Sequence, residues 1–336
     1  MQQRCLKRLW EENDMNAKKQ AGGRSAKDVF LKYGIYFILL FIVLILAVTS
    51  PSFRTVTNVT NVLLQVVTYG CLGIGMTFVI MTGGIDVSVG GIMVCSGSVY
   101  VVLAQSGMAE GVNMLMIFVV ALIFGIVNGY AVAYIGMPPF LVTLATQCIG
   151  RGLSLVFTGG ASFRDLGPVF EFLGKTKLLG ISIQIWVMLL LFVIGYFILH
   201  KTVYGRKLTA VGGNLNAARV SGINDRMITC SAYIVMSILC AIAAYLTMAR
   251  LGSYYSAMGD GIEFMVIAAV VIGGTSMSGG SGTIIGTLAG TVLIGIINNA
   301  LNLFHVGAEW QDVAKGAIIF LAVLFDAIKN KAKSSN

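Results

Sequence analysis

Few residues in this chain can do chemistry, and they stand far apart inside long apolar runs. Asp86 is the one carboxylate of the stretch Thr82-Gly83-Gly84-Ile85-Asp86-Val87-Ser88-Val89-Gly90-Gly91, which separates the apolar runs 61–81 and 87–103. Arg151 is the one charge deep inside an apolar run. Such a cation is costly in hydrocarbon, so it either lines a protein or water interior or snorkels to an interface. Asn298, Asn299 and Asn302 share another run. Asn298 and Asn302 are four apart and fall on one helix face. Neutral amides inside apolar segments hydrogen-bond a neighbouring helix or a polar solute such as a sugar. Both uses stay open for them, and for Gln65, Asn128 and Gln147.

These residues do not make an enzyme. There is no His-Glu-x-x-His and no Gly-x-Ser-x-Gly, and the two histidines, His200 and His305, are far apart. A phosphate-cradling loop needs Gly-x4-Gly-Lys-Thr/Ser. The nearest match, Gly174-Lys175-Thr176, has Val169 where the first glycine belongs. Six cysteines form no Cys-x-x-Cys pair, and five lie in apolar runs, where they read as small core residues. No cofactor and no metal site is expected.

The elements that must position these residues are membrane helices. The chain is 57% hydrophobic and 11% charged, against about 25% charged in soluble domains. Ten apolar segments follow in order: 33–48, 61–81, 87–105, 114–135, 140–157, 181–199, 227–248, 262–272, 283–304 and 313–328. The fold class is therefore an all-α polytopic membrane protein of about ten transmembrane helices, some broken at glycine-rich stretches. The net charge of +9 is not a nucleic-acid signature. Its basic residues cluster before residue 33, between Lys201 and Arg226, and in the last eight residues. With both termini inside, sixteen Lys and Arg lie on the cytoplasmic side and five outside, as the positive-inside rule requires. Residues 1–32 read as a cytoplasmic tail, with Met15 a second possible start, and 329–336 as a cytoplasmic C-terminal tail.

Two glycine-rich interruptions, one in each half, break this pattern. Gly83-Gly84 has its counterpart in Gly273-Gly274, and Ser88 in Ser278. Paired breaks in a lipid-embedded chain point to a transport pathway; a tight turn at the membrane surface is the alternative. Either way, Asp86 is of the type that caps a restarting helix. Asp260 and Glu263, at the start of run 262–272, are expected to favour that helix N-terminus.

The segment 200–226 is the longest polar internal stretch. Tyr204-Gly205-Arg206 leads to Gly212-Gly213-Asn214 and Ala217-Ala218-Arg219, closing at Ser221-Gly222. Asn214 is suited to start a short helix and Gly222 to end it. A short helix on a cytoplasmic loop, flanked by arginines, suits docking into a groove of another protein.

The order of these motifs resembles the permease subunits of bacterial ATP-binding-cassette sugar importers of the ribose type. The resemblance rests on Gly83-Gly84-Ile85-Asp86-Val87-Ser88, Pro138-Pro139-Phe140, Arg151-Gly152, Gly205-Arg206, Gly212-Gly213-Asn214, Ser221-Gly222-Ile223, Gly273-Gly274-Thr275-Ser276 and Asn298-Asn299. Leu215 departs from it where many relatives carry an acidic residue. The resemblance implies a permease domain over 33–328 in the bacterial cytoplasmic membrane. It also implies cytoplasmic ATPase subunits, a second permease subunit, identical or a sister, and an extracytoplasmic sugar-binding protein that delivers a small sugar. Residues 200–226 would be the ATPase-coupling loop. The alternatives are an ion-coupled carrier, which calls for paired intramembrane carboxylates where Asp86 stands alone, and an intramembrane enzyme.

Overall fold

The computed structural model describes residues 26–334. The candidate start at Met15 and most of the N-terminal tail lie outside them. Helix α1, Ala26–Thr49, carries the first apolar run; residues up to Ile42 form a unit of their own, and residues from Val43 onward form the second.

In the second unit a 3-10 turn leads into α2, Val56–Met81, whose Thr55 hydroxyl caps the Asn58 amide. After α2 come α3 (Val89–Gln105), α4 (Glu110–Tyr130) and α5 (Pro139–Thr158). Helix α4 runs on as a π turn over Ala131–Ile135 and stops at Gly136 in the left-handed region. Pro139 sits in the first turn of α5, where a missing N–H costs nothing. The short helix α6 is Pro168–Lys175, and α7 is Ile183–Lys201. The polar segment forms α8 (Val203–Gly213) and α9 (Leu215–Val220). The remaining helices are α10 (Asp225–Leu251), α11 (Ile262–Ile272), α12 (Ile284–Leu303) and α13 (Ala308–Ser334). The C-terminal tail is thus helical to residue 334, continuous with the last apolar run.

Each of the ten apolar runs is carried by a helix, with runs 87–105, 181–199 and 283–304 extending one or two residues beyond theirs. Among the described residues, six helices are long and apolar enough to cross a membrane, and three further apolar helices are shorter. The shortest, α11, has 11 residues and reaches about 16 Å, roughly half of the ~30 Å hydrocarbon layer. The protein is a polytopic, all-α membrane protein.

Helix α2 is the centre. Its surroundings are α10, α12 and α7, and α10 also packs along α4. Helix α3 is held between α4 and α5. Two strand pairs tie the connections. Phe163–Arg164 (β1) runs antiparallel to Ser253–Tyr254 (β4), and Lys177–Leu178 (β2) to Ile181–Ser182 (β3). Tyr254, fully buried, donates its hydroxyl to Val94 O at 3.2 Å, anchoring the loop after α10 to the flank of α3.

Candidate functional site

Helix α2 ends where the glycines begin. Thr82 is its C-cap, and Gly83 takes φ +84°, a conformation that favours glycine. The chain then runs non-helically to Ser88, and Asp86 is 1% exposed. Asp86 Oδ1 accepts the Ser88 amide at 2.8 Å and the Ser88 hydroxyl at 2.5 Å. The N-cap position of α3 is held by Ser88, without a side-chain cap bond, so Asp86 does not cap the helix directly; two residues upstream, its carboxylate fixes the turn that leads into it. The chain of bonds continues sideways: Asn128 of α4 donates to Ser88 Oγ at 2.9 Å, and Thr146 of α5 donates to Asn128 Oδ1 at 2.8 Å. Gln147 Oε1 accepts the Gly91 amide at 2.6 Å. Asn128 and Gln147 are thus structural ties between helices. No regular spacing marks this set, and the partners lie 18 to 56 residues apart.

The first turn of α3 meets the first turn of α11. A methyl placed on Gly90 would lie 2.7 Å from Gly259 O, 2.9 Å from Arg151 Nη2 and 3.0 Å from Glu263 Oε2. Only glycine admits that approach. Arg151 donates to Gly259 O at 3.0 Å and forms an ion pair with Asp260. Arg151 therefore faces a protein interior and pins the loop that follows α10. Two expectations change here. Asp260 does not cap α11; Gly261 holds the cap position, without a side-chain bond, and Asp260 is drawn off by the guanidinium. Alternating the ten runs from an inside N-terminus puts stretch 82–91 inside and loop 250–261 outside, yet the two touch each other at Gly90 and Gly259. Their backbones enter the fold, as in discontinuous membrane helices, where neighbouring protein satisfies the freed polar groups.

Beside this junction lies a cavity of about 290 Å³. Loop residues Tyr255, Met258 and Asp260 form one wall, and Gln65, Tyr69, Arg250, Asn298 and Asn302 contribute polar groups to the rest. Asn298 donates to the Tyr69 hydroxyl at 3.0 Å, and Asn302 Oδ1 accepts from Gln311 at 3.2 Å. Asn299, between them, points elsewhere and exchanges two amide bonds with Asn58, at 3.0 and 2.8 Å. Spacing put Asn298 and Asn302 on one face, and the structure decided their use. Tyr255 and Arg250 were not legible as lining residues, because each stands at or beyond the end of an apolar run.

At the other end of α2, the polar segment 200–226 is a docked pair of short helices. Tyr204 turns inward, its hydroxyl 2.9 Å from Ser231 Oγ and its ring edge-on to Phe78. Gly205 abuts the end of α7, where a side chain would overlap the Leu199 carbonyl. Asn214 caps α9 by accepting the Ala217 amide at 3.0 Å, and Gly222, φ +76°, closes it. Ala218 is buried and Ala217 exposed. Arg219 forks onto Asp225 (3.2 and 2.8 Å), which raises its already high proton affinity and fixes the turn into α10. Arg206 is exposed, and so are Val203, Leu215, Met227 and, at 91%, Val220. The segment thus exposes apolar side chains as well as a cation.

The second glycine stretch reaches the same place. Gly273 ends α11, and Gly274 follows at φ +95°. The chain loops through Ser276 and Ser278, whose hydroxyls pair at 2.8 Å. Gly280 then donates its amide to Met81 O at 3.0 Å.

Residues 58–323 match the family described as branched-chain amino acid transport system / permease component. The chain belongs to this permease family. The ribose import permease protein of Bacillus subtilis (strain 168) is 40% identical over 304 residues, which cover 90% of this chain and 94% of that protein. The ribose import permease protein of Escherichia coli (strain K12) is 38% identical over 296 residues, 86% and 91% of the two chains. The D-allose transport system permease protein of Escherichia coli (strain K12) is 35% identical over 309 residues, 89% and 93%. No solved structure gives a significant match. Among the described residues of the permease, no group of three or more His, Cys, Asp or Glu side chains is arranged to hold a metal ion.

Proposed function

We propose that this permease is the membrane subunit of an ATP-driven importer that passes a ribose-type monosaccharide, handed over by an extracytoplasmic binding protein, into a bacterial cytoplasm. The observation that carries this reading is the 40% identity to a ribose import permease along 94% of its length. ATP hydrolysis belongs to separate cytoplasmic subunits. Two permease subunits pair in the complex, about ten helices cross or enter the membrane, some of them broken at the glycine-rich stretches, and both termini face the cytoplasm. The cavity lined by Gln65, Tyr69, Asn298 and Asn302 is the sugar's route. Its volume lies near the lower end of small-molecule pockets, roughly 300–1,000 Å³, and its neutral donors and acceptors suit hydroxyl groups. Release from a binding protein requires only transient contacts, so a lining of amides and tyrosine hydroxyls is sufficient.

The test is reconstitution with the cognate ATPase and binding protein in vesicles, with labelled ribose as the probe. ATP-dependent uptake is expected, and absence of both ATPase association and uptake ends the proposal. Asn298→Ala is expected to reduce uptake severalfold, the loss of one hydrogen bond of about 1 kcal/mol, with the binding protein's own affinity for ribose unchanged. Arg206→Glu places a like charge on the exposed rim of the coupling loop and is expected to weaken ATPase co-purification. Arg219→Ala acts less, because its fork is already occupied by Asp225.

A further inference from the structure

The coupling helices and both glycine breaks meet at one point, backbone against backbone. The end of α8 supplies Gly212 and Gly213, the end of α2 supplies Met81 and Gly83, and the second break supplies Gly279 and Gly280. The Gly280 amide donates to Met81 O at 3.0 Å. A methyl on Gly212 would overlap that same Met81 carbonyl oxygen and lie 2.6 Å from Gly280 N. A methyl on Gly280 would lie 2.6 Å from Gly213 Cα, and one on Gly279 2.9 Å from Gly212 O and 3.1 Å from Gly83 N. Gly279 and Gly280 also take φ values of +85° and +72°, so glycine is required there by conformation as well as by space.

We propose that this three-way glycine joint is the element that carries displacement of the coupling helices to the ends of α2 and α11, with Gly212 as its positioning residue. The inference rests on the importer reading above. Side chains interposed between helices change rotamer and absorb small movements. Here no side chain intervenes between the end of α8 and the Met81 carbonyl, so a shift of α8 has no soft layer to be lost in. The same contact reaches two non-helical stretches: through Gly83 the one that leads to α3 and the Arg151 junction, and through Gly279 and Gly280 the one that links the end of α11 to α12. Tyr204 ties the start of α8 to α2 and α10 through Phe78 and Ser231, which leaves the far end, at Gly212, to move against the joint.

Gly212 also offers a clean test. It is helical, its φ is not in the left-handed region, and alanine there suffers from contact alone. Gly111, in the first turn of α4, is the control: it is helical and exposed, and a methyl there would meet nothing within 4 Å. In the reconstituted complex, Gly212→Ala is expected to keep its membrane level and ATPase co-purification. Its uptake should fall roughly tenfold or more, the consequence of overpacking by one methyl, while ATP hydrolysis continues. Gly111→Ala is expected to stay within about twofold of wild type, as an open surface position should. Wild-type uptake by Gly212→Ala overturns the proposal. So does a loss of uptake that only tracks a loss of bound ATPase, which would make Gly212 a docking or folding residue. Should Gly212→Ala fail to accumulate, Gly213→Cys is assembled first and then treated with a methanethiosulfonate reagent, wild type being treated in parallel. A group attached there wedges the joint after folding is complete. Uptake should then fall with the ATPase still bound, and unchanged uptake overturns the proposal. All comparisons are made with a wild-type complex that transports, so failure of the joint is distinguishable from failure of the importer reading.

Discussion

Asp86→Leu is expected to abolish uptake, whereas Asp86→Asn is expected to keep most of it. The physical reason is the load on one carboxylate oxygen. Asp86 Oδ1 accepts both the amide and the hydroxyl of Ser88, in a site 1% exposed to solvent. Leucine supplies no acceptor and strands two buried donors, each costing about 1–3 kcal/mol. The loss also propagates, because Ser88 Oγ accepts from Asn128, which in turn accepts from Thr146. Against a total stability of about 5–15 kcal/mol, the start of α3 loses its tie to α4 and α5. Asparagine retains an acceptor oxygen in the same position. Uptake of labelled sugar and the amount of protein in the membrane, measured for both variants, check this. Equal loss in the two would assign the role to the negative charge and refute the account in terms of acceptor bonds.

Arg151→Met is expected to remove most uptake as well, by a different route. The guanidinium holds Gly259 O and Asp260 at once and stands beside the buried carboxylate of Glu263 across Gly90. Removing one partner of a fully buried pair costs about 3–5 kcal/mol, and of an exposed pair at most about 1 kcal/mol. Arg151 is 24% exposed and Asp260 63%, so the direct pair lies toward the lower figure. The larger consequence is Glu263, 6% exposed, left without its nearby cation. Arg151→Lys is expected to recover part of the activity, since an ammonium keeps the charge but not the fork that serves both Gly259 and Asp260. The double change Arg151→Met with Glu263→Gln should restore more uptake than Arg151→Met alone. If it restores none, the electrostatic explanation is wrong, and Arg151 matters for its contact with the loop.

Composition and pattern determined the class of this protein. A chain so poor in charge has no way to be soluble at this length, and every apolar run became a helix because a lipid-facing backbone must satisfy its own hydrogen bonds. The short helix in segment 200–226 was legible for a local reason: Asn214 and Gly222 cap over a span of a few residues, and caps act within one turn. The motif order identified the family, and the matching relatives bear that out.

Only the tertiary structure decided where the breaks lead. Charge bias sorts connections by face, but it carries no depth, so the contact between Gly90 and Gly259 was not visible in it. Asp260 has the composition of a cap, yet Arg151, 109 positions away in sequence, draws it into an ion pair. Asn298 and Asn299 are chemically identical neighbours, and one lines a cavity while the other bonds Asn58, because a helix turns its successive residues about 100° apart. The glycines show the same division. Their presence in a membrane helix pattern announces a break, a consequence of backbone freedom that any sequence displays. That Gly83, Gly212 and Gly280 belong to one joint depends on which backbones approach, and that is a property of packing between segments far apart in the chain.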